Sequence, residues 1–221
     1  MSIQQQTNQP RIILASQSPQ RRTMMDVMML QCAGGIPYEV MPADIDELAI
    51  TGETQFERAA LVAQGKGREI VKRIQQTTDQ PFAVLAADTY LADENDRALE
   101  KPTSLEDAKE MLRFQSGKTI TEYTGVYWYQ SQLSDGEAVE SNLNFQEFSE
   151  TYQTQVTFRE LSDQEIELYV QNEPVLTFSG AFCPAYPAGA ALIERIDGSF
   201  TGFTHGFPIE FFVPKLQAFL P

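Results

Sequence analysis

The amino-acid sequence predicts an α/β fold built on a mixed β-sheet. Apolar runs typical of strands alternate with helical patterns near both ends of the chain, whereas residues 119–160 have the pattern of β-hairpins. Alternating strands and helices favour parallel pairing and hairpins require antiparallel pairing, so we expect both in one sheet. The 221 residues, of which 42% are apolar, suffice for one sizeable domain or two small lobes.

The first predicted elements are a short buried strand and a helix. Residues 11–15, "RIILA", are predicted to form the strand. Ser18 is a suitable N-cap and Pro19 suits the first helical position. Four methionines then recur at helical spacing, which predicts that one helix face packs into the core. They are Met24, Met25, Met28 and Met29.

The middle of the chain alternates between helix and strand. Residues 54–75 have the apolar spacing of a helix, and residues 81–89 that of a buried strand ending in a carboxylate. Ser104 with Asp107 resembles a capping box that opens another helix, which Gly117 would end. The hairpin region follows, with a predicted turn at residues 134–136.

The last third returns to alternating elements. Ser162 with Glu165 forms a second predicted capping box, which opens the helix "DQEIELYVQ". Residues 191–196, "ALIERI", are predicted to form a strand, and the final helix is expected to follow Pro208. We therefore predict a polar, disordered tail at residues 1–10 and a single domain over residues 11–221.

Composition excludes several classes of partner. Lysine and arginine number 16 against 31 aspartates and glutamates, a net charge of −15, which argues against binding a nucleic-acid polymer. No apolar run approaches the roughly 18 residues of a membrane span, and the polar N-terminus lacks the pattern of a signal peptide. Cys32 and Cys183 suit a reducing compartment, so we expect a cytoplasmic protein without a disulfide.

The stretch "LASQSPQRR" predicts an anion site. A helix N-terminus presents unpaired N–H groups and partial positive charge where the preceding strand ends. Ser18 and Arg21 are three residues apart and so face one side, whereas Arg22 points about 100° around the helix. Phosphate binding explains this arrangement; the alternative is that both arginines are solvated surface charges.

Two carboxylates offer a metal site near the same anion. Asp88 ends an apolar strand, where ligands gather in α/β sheets, and Glu47 lies in the acidic stretch "ADIDE". Carboxylate oxygens suit Mg²⁺ or Mn²⁺, which also bind substrate phosphates. Lys66 and Lys101 are possible phosphate partners. For Glu47, a solvated acidic loop is the alternative interpretation.

Taken together, the motifs resemble the Maf family of nucleoside triphosphate pyrophosphatases, also called the septum formation inhibitor family. The ordered set covers the chain from residue 11 to its end. It comprises "LASQSPQRR", "AADT", "LEKP", "YTGV", "VTFRELSDQEIELYV", "IERIDGS" and "GFP". Each fragment alone is weakly specific; their order and spacing make the resemblance strong.

The resemblance implies a fold and an activity. The fold would be similar to that of the inosine triphosphate pyrophosphatases: an elongated mixed sheet flanked by helices, with two lobes and a nucleotide groove. The activity would be cleavage of a nucleoside triphosphate between its α and β phosphates, giving monophosphate and pyrophosphate with Mg²⁺ or Mn²⁺. It also implies nucleotide-pool housekeeping or a link to cell division, and a possible homodimer.

The resemblance further assigns roles to residues. It makes Asp88 the catalytic base, with Glu47 and Asp88 at the metal, and gives Thr89 a part in specificity. Phosphate binding falls to four residues: Ser18, Arg21, Lys66 and Lys101.

Two positions depart from the family pattern. Gln20 stands where the pyrimidine-preferring subfamily typically has arginine and the 7-methyl-GTP subfamily tryptophan. A glutamine or glutamate of the family's glycine-rich loop corresponds to Ala185 or Tyr186. Tyr186 would either stack on a base or pack against protein. The sequence therefore predicts an intact phosphate and metal region beside an altered base-reading region.

Two other functions fit the same sequence. One is a nucleotide sensor that binds without turnover, which the altered loop favours. The other is an interaction protein in division control, whose partner would dock on the hairpins around residues 128–152.

Overall fold

The computed structural model describes residues 10–78, 80–132 and 144–220. The predicted tail, apart from Pro10, and the predicted hairpin turn at residues 134–136 lie outside the described residues. The strands are β1 (Arg11–Leu14), β2 (Glu39–Val40), β3 (Phe82–Ala92), β4 (Thr119–Gln132), β5 (Asn144–Phe158) and β6 (Ile193–Asp197). The helices are α1 (Pro19–Cys32), α2 (Gln55–Gln75), α3 (Leu105–Gln115), α4 (Asp163–Asn172), α5 (Pro187–Ala190), α6 (Phe200–His205) and α7 (Ile209–Phe219).

The sheet is mixed, as predicted. Its strand order is β2-β1-β3-β4-β5-β6. Strand β1 pairs in parallel with β2 and β3, whereas β3–β4, β4–β5 and β5–β6 are antiparallel. The last pair between β1 and β3 is Leu14 with Leu85. The second half of β3 therefore extends beyond the parallel part of the sheet.

Local capping explains where the longer helices begin. The hydroxyls of Ser18, Thr54, Ser104 and Ser162 each accept a hydrogen bond from the backbone N–H three residues on. At α4 the box is reciprocal, since Glu165 Oε2 accepts from the Ser162 N–H at 2.9 Å. These predicted starts are confirmed.

Several elements differ from the predicted pattern: β2 and α5 were not predicted, and β3 and α6 also differ. Strand β3 runs to Ala92 rather than residue 89, because β4 pairs with it as far as Ala92. Helix α6 was not predicted: it is only six residues long, too short for a helical apolar period. Ser199 caps its start, and Gly206, at φ +60°, ends it in the left-handed region that glycine favours.

Alternating residues of β3 separate two cores on opposite faces of the sheet. Ala83, Leu85 and Ala87 pack towards α1 and α7, where Met25, Met28 and Met29 are buried as predicted. Phe82, Val84 and Ala86 pack towards α2. Helix α2 lies very close to β4 at Gly125, where an added Cβ would collide with the backbone of Ala59.

A third core forms a second lobe around the far ends of the long strands. It joins α3 and α4 to β4, β5 and the segment before α5, through buried residues such as Ile120, Phe158 and Phe182. The two lobes share the sheet, and a groove lies between them, as predicted. Cys32 and Cys183 are free thiols, also as predicted. Across the described ranges, no helix is long and apolar enough to cross a membrane.

Candidate active site

Two adjoining cavities lie at the edge where the parallel strands β1 and β2 end. We call the smaller one, of about 290 Å³, the polar cavity; its lining includes Ser16, Glu47 and Lys66. The larger one, of about 540 Å³, we call the aromatic cavity; its lining includes Phe178 and Tyr186. Ser18 and Arg21 line both. Carboxyl ends of parallel strands are the usual place for ligands in α/β proteins.

Arg21 is fixed at the junction of the two cavities. Its Nε donates to the Gly206 carbonyl at 3.0 Å, and its Nη2 donates to Thr89 Oγ1 at 3.2 Å. Burial lowers the pKa of Arg21 from its ordinary value, and the carboxylates of Asp88, Glu47 and Glu122 oppose that shift. The guanidinium is thus held in a rigid fork that suits a phosphate group.

Neighbouring Arg22 is exposed and turned away from the cavities, as the helical period predicts. Ser18, besides capping α1, donates its hydroxyl proton to Gln20 Oε1 at 3.2 Å. Gln20 lines the aromatic cavity. The paired arginines of the sequence therefore divide, with one in the site and one on the surface.

Lys66 brings two carboxylates together. Its Nζ lies 2.6 Å from Asp88 Oδ1 and 3.0 Å from Glu47 Oε1. Asp88 is only 7% exposed. Residues from β3, α2 and the loop after β2 thus meet at one point beside Arg21.

The strand period explains why Asp88 and Thr89 have different partners. Successive side chains of β3 point to opposite faces of the sheet. Asp88 therefore faces α2 and contacts Lys66, whereas Thr89 faces α1 and accepts from Arg21. The consecutive strand residues Asp88 and Thr89 therefore contribute one side chain to each side of the site.

The aromatic cavity is lined from the second lobe as well as the first. Phe178, Phe182 and Phe203 form part of its wall, and Lys101 lines it from an exposed position. Tyr186 also lines it, 38% exposed, with its ring 5.4 Å from that of Phe178. Ala185 lies between the lining residues Pro184 and Tyr186 and is not itself a lining residue.

Sequence reasoning missed one acidic residue of the aromatic cavity, Glu122 on β4. It is 1% exposed yet contributes to the lining. Burial raises its pKa from an ordinary 4.5 to about 7, while the hydroxyls of Thr124 and Thr154 and the charge of Arg21 act in the opposite direction. In the sequence it lies in "TITEYTGV", where the strand period of two places it on the same face as Ile120 and Val126, a signal that would have indicated burial.

A family model supplies the classification. The model described as "Maf: Maf-like protein" matches residues 11–219, nearly the whole chain. The chain belongs to the Maf family. The recognition of the family from the ordered motifs is thereby confirmed.

Several curated relatives of this Maf chain carry the same functional name. A "dTTP/UTP pyrophosphatase" of Bacillus thuringiensis subsp. konkukian is 29% identical over 209 residues, covering 95% of each chain. A protein of the same name from Bacillus cereus (strain ATCC 10987) is 29% identical over 212 residues, covering 96% of this chain and 91% of the relative. Similar relatives of that name occur in Bacillus anthracis.

Among solved structures, the Staphylococcus aureus Ham1 protein is matched with a TM-score of 0.31 at 14% sequence identity. The match covers 69% of this chain and 72% of that one. At this TM-score we draw no conclusion from it. The α/β architecture of the Maf chain stands on its own sheet topology.

The donors of the polar cavity are compatible with the predicted metal ion. Mg²⁺ usually takes one or two protein carboxylates and fills its remaining positions with water and phosphate oxygens. Glu47 and Asp88 supply two carboxylates that already reach one common point, the Lys66 ammonium. In the part of the chain that the structure describes, no group of three or more His, Cys, Asp or Glu forms a closed metal cage. The residues therefore fit a cation shared with a substrate.

Proposed function

We propose that this Maf protein hydrolyses a nucleoside triphosphate to the monophosphate and pyrophosphate. The observation that carries the proposal is the meeting of Asp88, Glu47 and Lys66 beside Arg21, next to a cavity with aromatic walls. The name of the Bacillus relatives makes dTTP and UTP the first substrates to test.

The polar cavity would hold the phosphates. Arg21 presents a fixed fork at the N-terminus of α1, and Ser18 lies at the same terminus. Lys66 adds positive charge from α2, and Lys101, which lines the adjoining aromatic cavity, adds it from the loop after β3. Such preorganised donors stabilise the charge that develops on a departing pyrophosphate.

Asp88 would act as the general base. Its carboxylate is oriented by Lys66 at 2.6 Å and is largely shielded from solvent. It would accept a proton from the water that attacks phosphorus, as the P–O bond to the pyrophosphate breaks. Glu47 and Asp88 are also the residues that would hold Mg²⁺ or Mn²⁺, whose chemistry when bound is neutralisation of phosphate charge.

The nucleoside would occupy the aromatic cavity. Tyr186 and Phe178 offer faces on which a base can stack, and Gln20 and Thr89 lie between that cavity and the phosphates. A cytoplasmic location, which the two cysteines favour, belongs to the same proposal. A homodimer and a role in nucleotide-pool housekeeping or division belong to it too and come from the family resemblance alone.

Pyrophosphate release tests the proposal directly. Purified protein is assayed with dTTP, UTP, dCTP, ATP, GTP and modified nucleotides, each with Mg²⁺, with Mn²⁺ and with a chelator. We expect metal-dependent release of one pyrophosphate per monophosphate formed. Tight, metal-dependent nucleotide binding without any pyrophosphate release would refute hydrolysis and support the nucleotide-sensor function instead.

A further inference from the structure

Glu122 is a buried carboxylate that lines the aromatic cavity. The proposed hydrolysis assigns no role to it. It lies on β4 and lines the aromatic cavity but not the polar cavity, whose lining includes Glu47 and Lys66. A carboxylate that is 1% exposed carries a large desolvation cost unless partners compensate it. Its partners therefore indicate what it is for.

One oxygen of Glu122 ends a chain of hydrogen bonds that begins at Arg21. Arg21 Nη2 donates to Thr89 Oγ1 at 3.2 Å, and Thr89 Oγ1 lies 3.3 Å from Thr124 Oγ1. The Thr124 hydroxyl in turn donates to Glu122 Oε1. Thr124 has a single hydroxyl proton and donates it to Glu122, so Thr89 must be the donor in the Thr89–Thr124 hydrogen bond. The chain fixes the orientation of the carboxyl group.

The other oxygen, Oε2, is buried and has no hydrogen-bond partner among the described residues. Thr154 lies opposite Glu122 on β5; its hydroxyl accepts from the Ser199 N–H at 3.1 Å, lies 3.5 Å from the Ser199 carbonyl, and also favours the ionised form of Glu122. A buried acceptor without a well-placed donor is rare in folded proteins and calls for a further partner, either a water molecule or a ligand group.

We propose that Glu122 recognises the edge of the nucleobase, its carboxyl accepting a hydrogen bond from a ring N–H that lies beside a carbonyl. The inference rests on the proposed function, in that the aromatic cavity must take the nucleoside. Uracil, thymine and guanine carry such an N–H, whereas cytosine and adenine present an acceptor nitrogen at the corresponding position. Glu122 thus selects bases whose edge presents a hydrogen-bond donor at this position and disfavours those that present an acceptor.

Two positions that the sequence assigned to specificity are poorly suited to accept from a ring N–H. Ala185 has no polar side chain, and the Gln20 carbonyl oxygen already accepts from Ser18. Phe182 and Phe203 supply apolar walls that strengthen a hydrogen bond to a buried carboxyl. With a pKa near 7, part of the Glu122 population carries a proton and can also donate to the carbonyl beside the ring N–H.

The rival explanation is that Glu122 serves only as a remote counter-charge for Arg21. The two roles predict different effects of substitution. A counter-charge would alter the affinity for all nucleotides equally, whereas an edge-reading residue would alter the ratio between two bases.

Equilibrium binding of α,β-methylene triphosphates, which cannot release pyrophosphate, measures that ratio. The probes are the analogues of UTP, 3-methyl-UTP, GTP and CTP, titrated by calorimetry into the wild type, Glu122→Gln, Glu122→Ala and Glu110→Gln. The last variant makes the same chemical change at an exposed position on α3. The alanine variant also makes room for the added methyl group.

We expect the wild type and Glu110→Gln to prefer the UTP analogue over its 3-methyl form by roughly ten- to a hundredfold. Glu122→Gln, whose amide oxygen still accepts, should retain most of this preference, and Glu122→Ala should lose it. Comparison of the UTP and GTP arms then identifies which base of the class is taken. Because both affinities are measured on the same variant, a change in folding cancels from their ratio.

Equal wild-type affinity for the UTP analogue and its 3-methyl form, together with no preference for GTP over CTP, would overturn the inference. A preference that survives in Glu122→Ala would overturn it too, as would absence of binding by every probe. The proposed hydrolysis is judged separately by pyrophosphate release. Base discrimination without release would thus refute the enzyme and retain Glu122 as the base-reading residue.

Discussion

The polar and aromatic cavities share Arg21 but handle buried charge in different ways. At the polar cavity, the Lys66 ammonium directly contacts the carboxylate of Glu47, which also lines the cavity, and that of the adjacent Asp88. In the aromatic cavity, Glu122 reaches the charge of Arg21 only through the hydroxyls of Thr89 and Thr124. The first arrangement is suited to ionised groups and phosphate charge. The second leaves a carboxyl that is poised between its charged and neutral forms, which suits recognition of a base.

The largest expected effect separates chemistry from binding in the polar cavity. Asp88→Asn removes the proposed base while preserving shape, so kcat for pyrophosphate release should fall on the order of a hundred- to ten-thousandfold. The matched control, Asp197→Asn, changes an exposed carboxylate at the end of β6. Initial rates with UTP and Mg²⁺ measure both variants.

Affinity for the α,β-methylene UTP analogue should change far less than kcat in Asp88→Asn. A loss of binding as large as the loss of rate would make Asp88 a binding residue and contradict its role as base. An unchanged kcat in Asp88→Asn would show that Asp88 takes no part in the reaction.

The two cavities also differ in how far the sequence predicts them. Ser18, Asp88 and Lys66 could be placed because each lies at the start, end or inward face of an element with its own local pattern. Glu122 was not predicted, although the strand period places it on one face with Ile120 and Val126. A carboxylate is usually exposed, and the pairing of β4 with β5 and the packing of the second lobe bury this one.

Helix α6 shows the same limit. It positions the Gly206 carbonyl that holds Arg21, yet its six residues carry no helical period. The fold class and the polar cavity follow from local patterns. The aromatic cavity depends on contacts between segments far apart in the chain, which no local pattern encodes.

The next effect concerns the pH dependence of stability and tests whether Glu122 at the aromatic cavity is held partly neutral. Glu122 has a pKa of about 7 in the folded protein against an ordinary 4.5, so the folded state holds its proton more tightly than the unfolded state. Its contribution is complete below about pH 4.5 and is lost as pH rises through about 7. The loss amounts to on the order of 3 kcal/mol in the free energy of unfolding.

Glu122→Gln removes this titration. Urea unfolding at pH 5 and pH 8 should therefore show a smaller decline for Glu122→Gln than for the wild type, and Glu110→Gln should follow the wild type. Arg21 from α1, His205 from α6 and Lys101 from the loop after β3 line the same cavity, and all remain in each variant. Burial lowers the pKa of His205, an effect that cancels in the comparison. Parallel pH profiles would show that Glu122 does not titrate in this range.

A third prediction concerns the residue that the two cavities share. Arg21→Lys loses the fork that spans Gly206, Thr89 and Ser16, because an ammonium cannot reach those acceptors from one point. KM for UTP should rise roughly thirtyfold, about 2 kcal/mol. Arg22→Lys is the matched control next to it, and its exposed side chain should leave KM within about twofold. Equal effects in the two variants would mean that the guanidinium fork of Arg21 has no special part in phosphate binding.

The smallest effect decides between the two roles left open for Tyr186. Its ring is tilted by 41° against that of Phe178 and is partly exposed in the aromatic cavity. If a base stacks on it, Tyr186→Ala should raise KM for UTP about fivefold, the lower end of the stacking range for a half-exposed ring, with kcat unchanged. Tyr186→Phe keeps the ring face and should leave KM unaltered. If the ring only packs against Phe178, the alanine variant would instead lower the melting temperature and leave KM as it was. Steady-state kinetics and thermal unfolding on the same preparations distinguish these outcomes, because stacking on a substrate cannot stabilise a protein that holds none.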